Sequence, residues 1–102
     1  ATFLAEQARA YPGGVVWIAV GALDNIAQAL FHFPDVAPLV KRIVMMGGDL
    51  RGRPELNFAV SPSAASYVLR HTGVTKTLLT VQTCRFSVFE AHHVKALQSR
   101  QC

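Results

Sequence analysis

The sequence predicts an α/β fold, a parallel β-sheet with flanking helices, and three observations lead to it. Val15 to Val20 is a continuous β-branched and aromatic run of the kind that forms a strand buried on both faces, the apolar run Ile43 to Met46 reads as a second strand, and Lys76 to Val81 as a third. Stretches with helical spacing separate them, so successive strands join as right-handed βαβ units. The middle run stops at Gly47-Gly48 and opens into a polar loop, and in open α/β sheets small molecules bind beyond the carboxyl ends of strands.

The elements follow in chain order. Phe3, Leu4, Ala8 and Tyr11 build one apolar face of a helix from Thr2 to Tyr11, which Pro12-Gly13-Gly14 stop. After the first strand, Asp24 or Asn25 caps a helix running from Ile26 to Phe33. Pro34 interrupts it, and a second short helix spans Asp35 to Lys41. The second strand is Ile43 to Met46. Ser61-Pro62 has the form of an N-cap with proline at the first helical position. Ala64, Ala65, Val68 and Leu69 form the buried face of that helix, and Gly73 ends it. The third strand, Lys76 to Val81, follows. Ser87-Val88-Phe89-Glu90 has the spacing of a capping box, which predicts a last helix from Val88 to about Gln98.

Composition bears on size and setting. With glycine counted and tyrosine left out, apolar residues make up about 56% of the 102, against a usual 45–50%. Charged residues are 16%, against about 25% in typical domains. A small domain buries a limited fraction of its surface, so this excess predicts a segment covered by the remainder of its own domain or by another subunit. Three parallel strands would also leave both sheet edges unpaired. The formal net charge is +4, and the excess falls after residue 60, on Arg70, Lys76, Arg85, Lys95 and Arg100. These are dispersed and lack interleaved aromatic residues, which argues against nucleic acid as a partner. No apolar run reaches the roughly 18 residues of a membrane span. Cys84 and Cys102 form neither a disulfide framework nor a zinc pattern, so a reduced, cytoplasmic setting is expected.

The candidate ligands lie in the middle loop. If residues 54–58 are extended, the period of two turns Glu55 and Asn57 to one side and Leu56 inward. A carboxylate accepts hydrogen bonds while a carboxamide both donates and accepts, a pair suited to the vicinal hydroxyls of a ribose. From spacing alone, both read first as ordinary solvated loop residues. Gly47-Gly48 is open to a second use, cradling a phosphate, although the fuller glycine fingerprint is missing. His92 and His93, about 100° apart on a helix, cannot chelate one metal from one face. His32, at a helix end, is placed to satisfy terminal carbonyls.

Gly21-Ala22-Leu23-Asp24-Asn25-Ile26-Ala27, Met46-Gly47-Gly48, Glu55-Leu56-Asn57 and Ser61-Pro62-Ser63-Ala64-Ala65 resemble, in this order, the G-P-L-T-N-I-A, M-G-G, E-F-N and D-P-E-A-A motifs of the inosine-uridine nucleoside hydrolases. The resemblance is strongest over about residues 15 to 83 and matches the middle of a chain several-fold longer. It implies a partial domain: residues 1–102 as the central β-α-β-α-β segment of a nucleoside hydrolase-like, Rossmann-like core. It also implies an activity, cleavage of the N-glycosidic bond of a ribonucleoside to base and ribose, with calcium as cofactor. Residue by residue, Val20 matches a position whose backbone carbonyl ligates calcium. Met46 matches a methionine near the ribose, and its alternative is a plain strand-end core residue. Glu55 and Asn57 match the pair that binds the ribose hydroxyls. The family's water-activating aspartates and its later histidine-aspartate pair have no counterpart here, so no catalytic residue is assigned and the segment alone is expected to be inactive. Asp24 stands for the family's threonine, Ser61 for its aspartate and Val81 for another aspartate. The loop from Gly48 to Glu55 is shorter and lacks a sugar-facing asparagine, for which Asp49 or Arg51 is the available substitute. A rival reading is a non-catalytic nucleoside-binding or interaction protein on the same scaffold.

Overall fold

A computed structural model describes residues 1–100. Three strands, β1 (Val15–Ala19), β2 (Val40–Met46) and β3 (Lys76–Leu79), form one parallel sheet in the order β1-β2-β3. Trp17 pairs with Ile43 and Ala19 with Met45 across the first ladder, and Met46 with Leu79 across the second. All three strands therefore end at one level, and the loops that follow them share one edge of the molecule.

Among the described residues six α-helices accompany the sheet: α1 (Thr2–Ala10), α2 (Asp24–His32), α3 (Leu56–Val60), α4 (Pro62–Arg70), α5 (Val81–Cys84) and α6 (Ala91–Gln98). The core is single: Ala5 and Ala8 of α1, Ile26, Ala29 and Leu30 of α2, and Ala64, Ala65 and Val68 of α4 cluster with Trp17, Ile43 and Met45 of the sheet. These strand residues alternate with exposed ones, since Val16 and Ile18 point away and Ile18 is 71% exposed. Among the described residues one face of the sheet carries the core while Val16 and Ile18 on the other are uncovered, so the expectation of a first strand buried on both faces is corrected for these residues.

Local chemistry accounts for the other departures. Residues 34–39 form a 3₁₀ helix rather than an α-helix, because Pro34 and Pro38 remove backbone donors, and β2 consequently begins at Val40, three residues earlier than expected. In α1 the buried contact is made by the small Ala5 and Ala8, while Phe3 and Tyr11 lie outside. On α4 Leu69 is exposed, and the helix closes at Arg70 with His71, whose Nδ1 accepts the Gly73 N–H at 3.1 Å. The third strand stops at Leu79, where the chain turns into α5. The capping box of α6 sits three residues later than expected: Glu90 is the N-cap and its own N–H donates to His93 Nδ1 at 3.0 Å. Cys84 is a free thiol, and Cys102 falls outside the described residues. No helix among the described residues is long and apolar enough to cross a membrane.

Candidate functional site

The site grows from the ends of β1 and β2. Where a parallel ladder stops, the next carbonyls have no strand partner and need another donor. Asn57 supplies it. Its Nδ2 donates to Met46 C=O at 3.0 Å and, at a longer 3.4 Å, to Val20 C=O, and also lies 3.2 Å from Met46 Sδ. One carboxamide thus spans the carboxyl ends of two adjacent strands. Its Oδ1 takes no hydrogen bond among the described residues.

Glu55 reaches the same cluster by a different route from the one expected. Residues 54–58 are not a continuous extended stretch. Glu55 alone is extended, with φ −115° and ψ 141°, and it is the N-cap of α3. Leu56 opens that helix and is 74% exposed rather than turned inward. The Glu55 carboxylate accepts from Asn57 N–H at 3.0 Å, Phe58 N–H at 3.2 Å and Gly48 N–H at 2.9 Å. Two of these are free donors of a helix start, which a capping carboxylate satisfies. Burial pushes the Glu55 carboxyl up, but the N–H groups of Asn57, Gly48 and Phe58 outweigh it and hold the group below its ordinary value. A carboxylate so engaged is a weak base. It is an anchor, with three of its acceptor positions taken by backbone N–H groups.

Gly47 and Gly48 serve the anchor. A Cβ on Gly47 would stand 2.1 Å from Phe58 Cε1, so the phenyl ring lies directly on this backbone, and Gly48 has φ +79°, a left-handed conformation that glycine adopts freely. Their N–H groups are both engaged, Gly47 with Leu79 C=O and Gly48 with Glu55. The phosphate-cradle use of this pair is therefore corrected: no amide is left to receive the phosphate. Asp49, one of the two substitutes considered for the missing asparagine, is engaged within its own loop and with Gln82. Its Oδ1 accepts from Arg51 N–H and from Gln82, and its Oδ2 from Arg53 Nε. The Arg51 N–H bond comes first among the causes that hold the Asp49 carboxyl below its ordinary value, followed by the Gln82 side chain.

The remaining polar residues fall elsewhere. Neither Asp24 nor Asn25 caps α2, whose N-cap position is Leu23. Ser61 holds the N-cap position of α4 with Pro62 next, as expected, but its side chain makes no capping bond; its Oγ donates instead to Asp24 Oδ1 at 2.7 Å and ties the starts of the two helices together. His32 meets the Phe31 ring edge-on at 5.1 Å and makes no hydrogen bond to a terminal carbonyl. His92 and His93 lie with ring centroids 3.9 Å apart, and among the described residues no three His, Cys, Asp or Glu side chains are grouped as a metal site. Taken alone the described residues do not form a calcium site. The Val20 carbonyl, beside a hollow of about 700 Å³ shared with Gly21, Asp24 and Asn25, fits one ligand of such an ion and no more.

The structure thus brings Val20, Met46, Glu55 and Asn57 into one hydrogen-bonded group. It adds two residues that sequence patterning did not single out, Phe58 and Gln82. Phe58 had a signal, a large apolar residue directly after the Glu55-Leu56-Asn57 motif. Gln82 had only its place just past the third strand.

Fold and site together define an open parallel α/β domain with polar groups gathered beyond the carboxyl ends of adjacent strands. The chain belongs to the inosine-uridine preferring nucleoside hydrolase family, whose family model matches residues 1–101. Relatives include the non-specific ribonucleoside hydrolase RihC of Salmonella paratyphi A and that of Salmonella agona, each 42% identical over 64 residues, which is 58% of this chain and 21% of the relative. An inosine-uridine preferring nucleoside hydrolase from Bacillus anthracis, known from its crystal structure, has the same fold: the TM-score is 0.82 at 21% identity, over 96% of this chain and 36% of that one. The chain spans about a fifth of the length of the curated relatives it matches.

Proposed function

We propose that this chain is the central, sugar-binding segment of a ribonucleoside hydrolase, whose complete protein cleaves the N-glycosidic bond of purine or pyrimidine nucleosides to free base and ribose. The observation that carries the proposal is the Asn57 carboxamide, held by its nitrogen on the strand-end carbonyls of Val20 and Met46 with its oxygen open. That oxygen accepts one ribose hydroxyl. The Glu55 carboxylate, ionised and fixed by three N–H groups, accepts a second from its remaining lone pair. Met46 packs its thioether beside them.

Such a pair does work in the reaction only if it grips the sugar more firmly as the bond to the base breaks. Hydrolysis passes through an oxocarbenium-like ribosyl cation, on which water forms the new bond to carbon while the base departs with the electron pair of the old one. A fixed carboxylate and a carboxamide oxygen directed at the hydroxyls favour that cationic sugar by electrostatics without themselves moving a proton. Proton transfer belongs to groups this segment does not supply, because Glu55 is too well satisfied to be the base. A calcium ion, when bound, lowers the pKa of a bound water. Val20 C=O would be one of its ligands, and the carboxylates would come from elsewhere in the complete protein. In this reading the sparse cysteines fit a cytoplasmic enzyme, and the bare sheet face is covered by the remainder of the domain or by another subunit.

The test uses the complete protein with inosine and uridine, following release of reducing sugar with and without a chelator. Turnover that depends on calcium is expected. Asn57→Ala should lower kcat/KM about 5- to 150-fold, the equivalent of about 1–3 kcal/mol for a buried hydrogen bond lost in the transition state. An unchanged kcat/KM would place the ribose elsewhere, and nucleoside binding without turnover would make the protein a binder.

A further inference from the structure

The loop from Gly48 to Glu55 is fastened on its far side by a residue that sugar binding does not use. Beyond the ends of β2 and β3 the ladder continues, with Gly47 N–H donating to Leu79 C=O and Val81 N–H to Gly48 C=O, both at 3.0 Å. At that point the main chain turns away into α5. The next rung is made by a side chain: Gln82 Oε1 accepts Leu50 N–H at 3.1 Å, and Gln82 Nε2 donates to Asp49 Oδ1 at 2.6 Å. A carboxamide offers both a carbonyl and an N–H, as a peptide group does, so Gln82 extends the pairing one step past the reach of the backbone.

Asp49 is where the loop gathers. Its side chain is only 7% exposed, accepting from Arg51 N–H at 2.8 Å and Arg53 Nε at 3.1 Å in addition to Gln82. Gly52, at φ +75°, returns its N–H to Asp49 C=O at 2.9 Å and sends the chain back toward Pro54 and Glu55. The loop is therefore a ring closed by two clasps. Glu55 holds Gly48 by its N–H, while Val81 and Gln82 hold Gly48, Asp49 and Leu50 from the β3 side.

We propose that Gln82 is a positioning residue for the sugar site: by seating Asp49 and Leu50 on the β3–α5 turn it fixes, through Gly48, where Glu55 and Asn57 stand. The proposal rests on Glu55 and Asn57 being the ribose ligands. Gln82 itself touches no substrate.

The experiment measures kcat, KM and Tm for the complete protein and its variants with inosine and uridine as probes. Gln82→Ala is expected to reduce kcat/KM about three- to tenfold, the loss of about one net hydrogen bond, and on the same parameter, kcat or KM, that Asn57→Ala changes. Q82E makes the decisive comparison. Near neutral pH the introduced carboxylate repels Asp49, and the variant should fall below Gln82→Ala. When protonated, the same side chain presents an O–H to Asp49 and a carbonyl to Leu50, which restores the carboxamide pattern. The charged side chains bonded around this position are Asp49 and its partner Arg53. The ratio of variant to wild-type kcat/KM should therefore rise as pH is lowered. A lower Tm for Gln82→Ala with wild-type kcat and KM would overturn the proposal while leaving the ribose ligands in place. Wild-type kinetics in Asn57→Ala would instead overturn the ribose ligands. Should Gln82→Ala fail to fold, Q82E decides alone, because it keeps the side chain's shape. A ratio flat with pH would then overturn the proposal.

Discussion

Glu55 shows how one side chain serves structure and site at once. Its two oxygens close the Gly48 loop and start α3, so the chain segment that carries Asn57 is held where Asn57 can reach both strand ends. The consequence for pH has a definite sign. A carboxyl held below its unfolded value contributes stability that is fully present above the unfolded pKa, about 4.3 for glutamate, and lost as pH falls through the lower folded value. Glu55→Gln keeps one acceptor but turns an NH₂ group toward backbone donors. The variant should lose about 1–2 kcal/mol near neutral pH, and its stability should decline less steeply on acidification than that of the wild type. Urea denaturation of both proteins between pH 3 and 7, a window that brackets the carboxyl range, is the measurement. Parallel curves would show that the three N–H bonds carry little net energy.

At the scale of elements, the tie between α2 and α4 explains two departures from the family motifs as one change. Where the motifs have threonine and then aspartate, this chain has Asp24 and Ser61, and the hydroxyl of Ser61 donates to the carboxylate of Asp24. The hydroxyl and the carboxylate have exchanged positions relative to the motifs, and in this chain a hydrogen bond joins them. A double-mutant cycle tests it: Ser61→Asp alone sets two carboxylates together and should destabilise most, Asp24→Thr alone should cost less, and the double variant should recover about 0.5–1.5 kcal/mol relative to the sum. Additive changes in Tm would mean that the two positions act independently. This coupling was hidden in the sequence, because each residue taken alone reads as an N-cap, and only the packing of α2 against α4 brings residues 37 apart into contact. By contrast the three strands and the helix starting at Pro62 were legible, since they rest on apolar runs and on an N-cap followed by proline. The extended form expected for residues 54–58 failed for a local reason: Glu55 caps its own successor residues, which no alternation of side chains reveals. The boundary of β2 failed because Val40, just past two prolines, joins the ladder directly.

The whole molecule is thin. It measures 44 × 40 × 19 Å with a radius of gyration of 15.9 Å, where a compact chain of this length has about 13 Å. Its accessible surface, 6896 Å², exceeds the roughly 5,700 Å² of a compact monomer of the same mass. Exposed apolar residues line the bare face of β1 at Val16 and Ile18 and continue just past it at Val20, with Phe3 exposed as well. Chains of residues 1–102 prepared alone should therefore associate through this face. Ile18→Lys should lower their sedimentation mass at high concentration, whereas in the complete protein the same change should reduce Tm by several degrees because it buries a charge. A complete protein that tolerates the lysine would have that face in water. The strand order, finally, sets an order in time. Each strand pairs with the one made immediately before it, and every loop that supplies Val20, Met46, Glu55 and Asn57 lies within the span from β1 to α3. Contacts between sequence neighbours form quickly, and chains fold from their N-terminal side as they leave the ribosome. Val20, Met46, Glu55 and Asn57 thus all leave the ribosome before β3, but the loop between Gly48 and Glu55 is held by Leu79, Val81 and Gln82, so the group closes only once the third strand and the turn after it have been made.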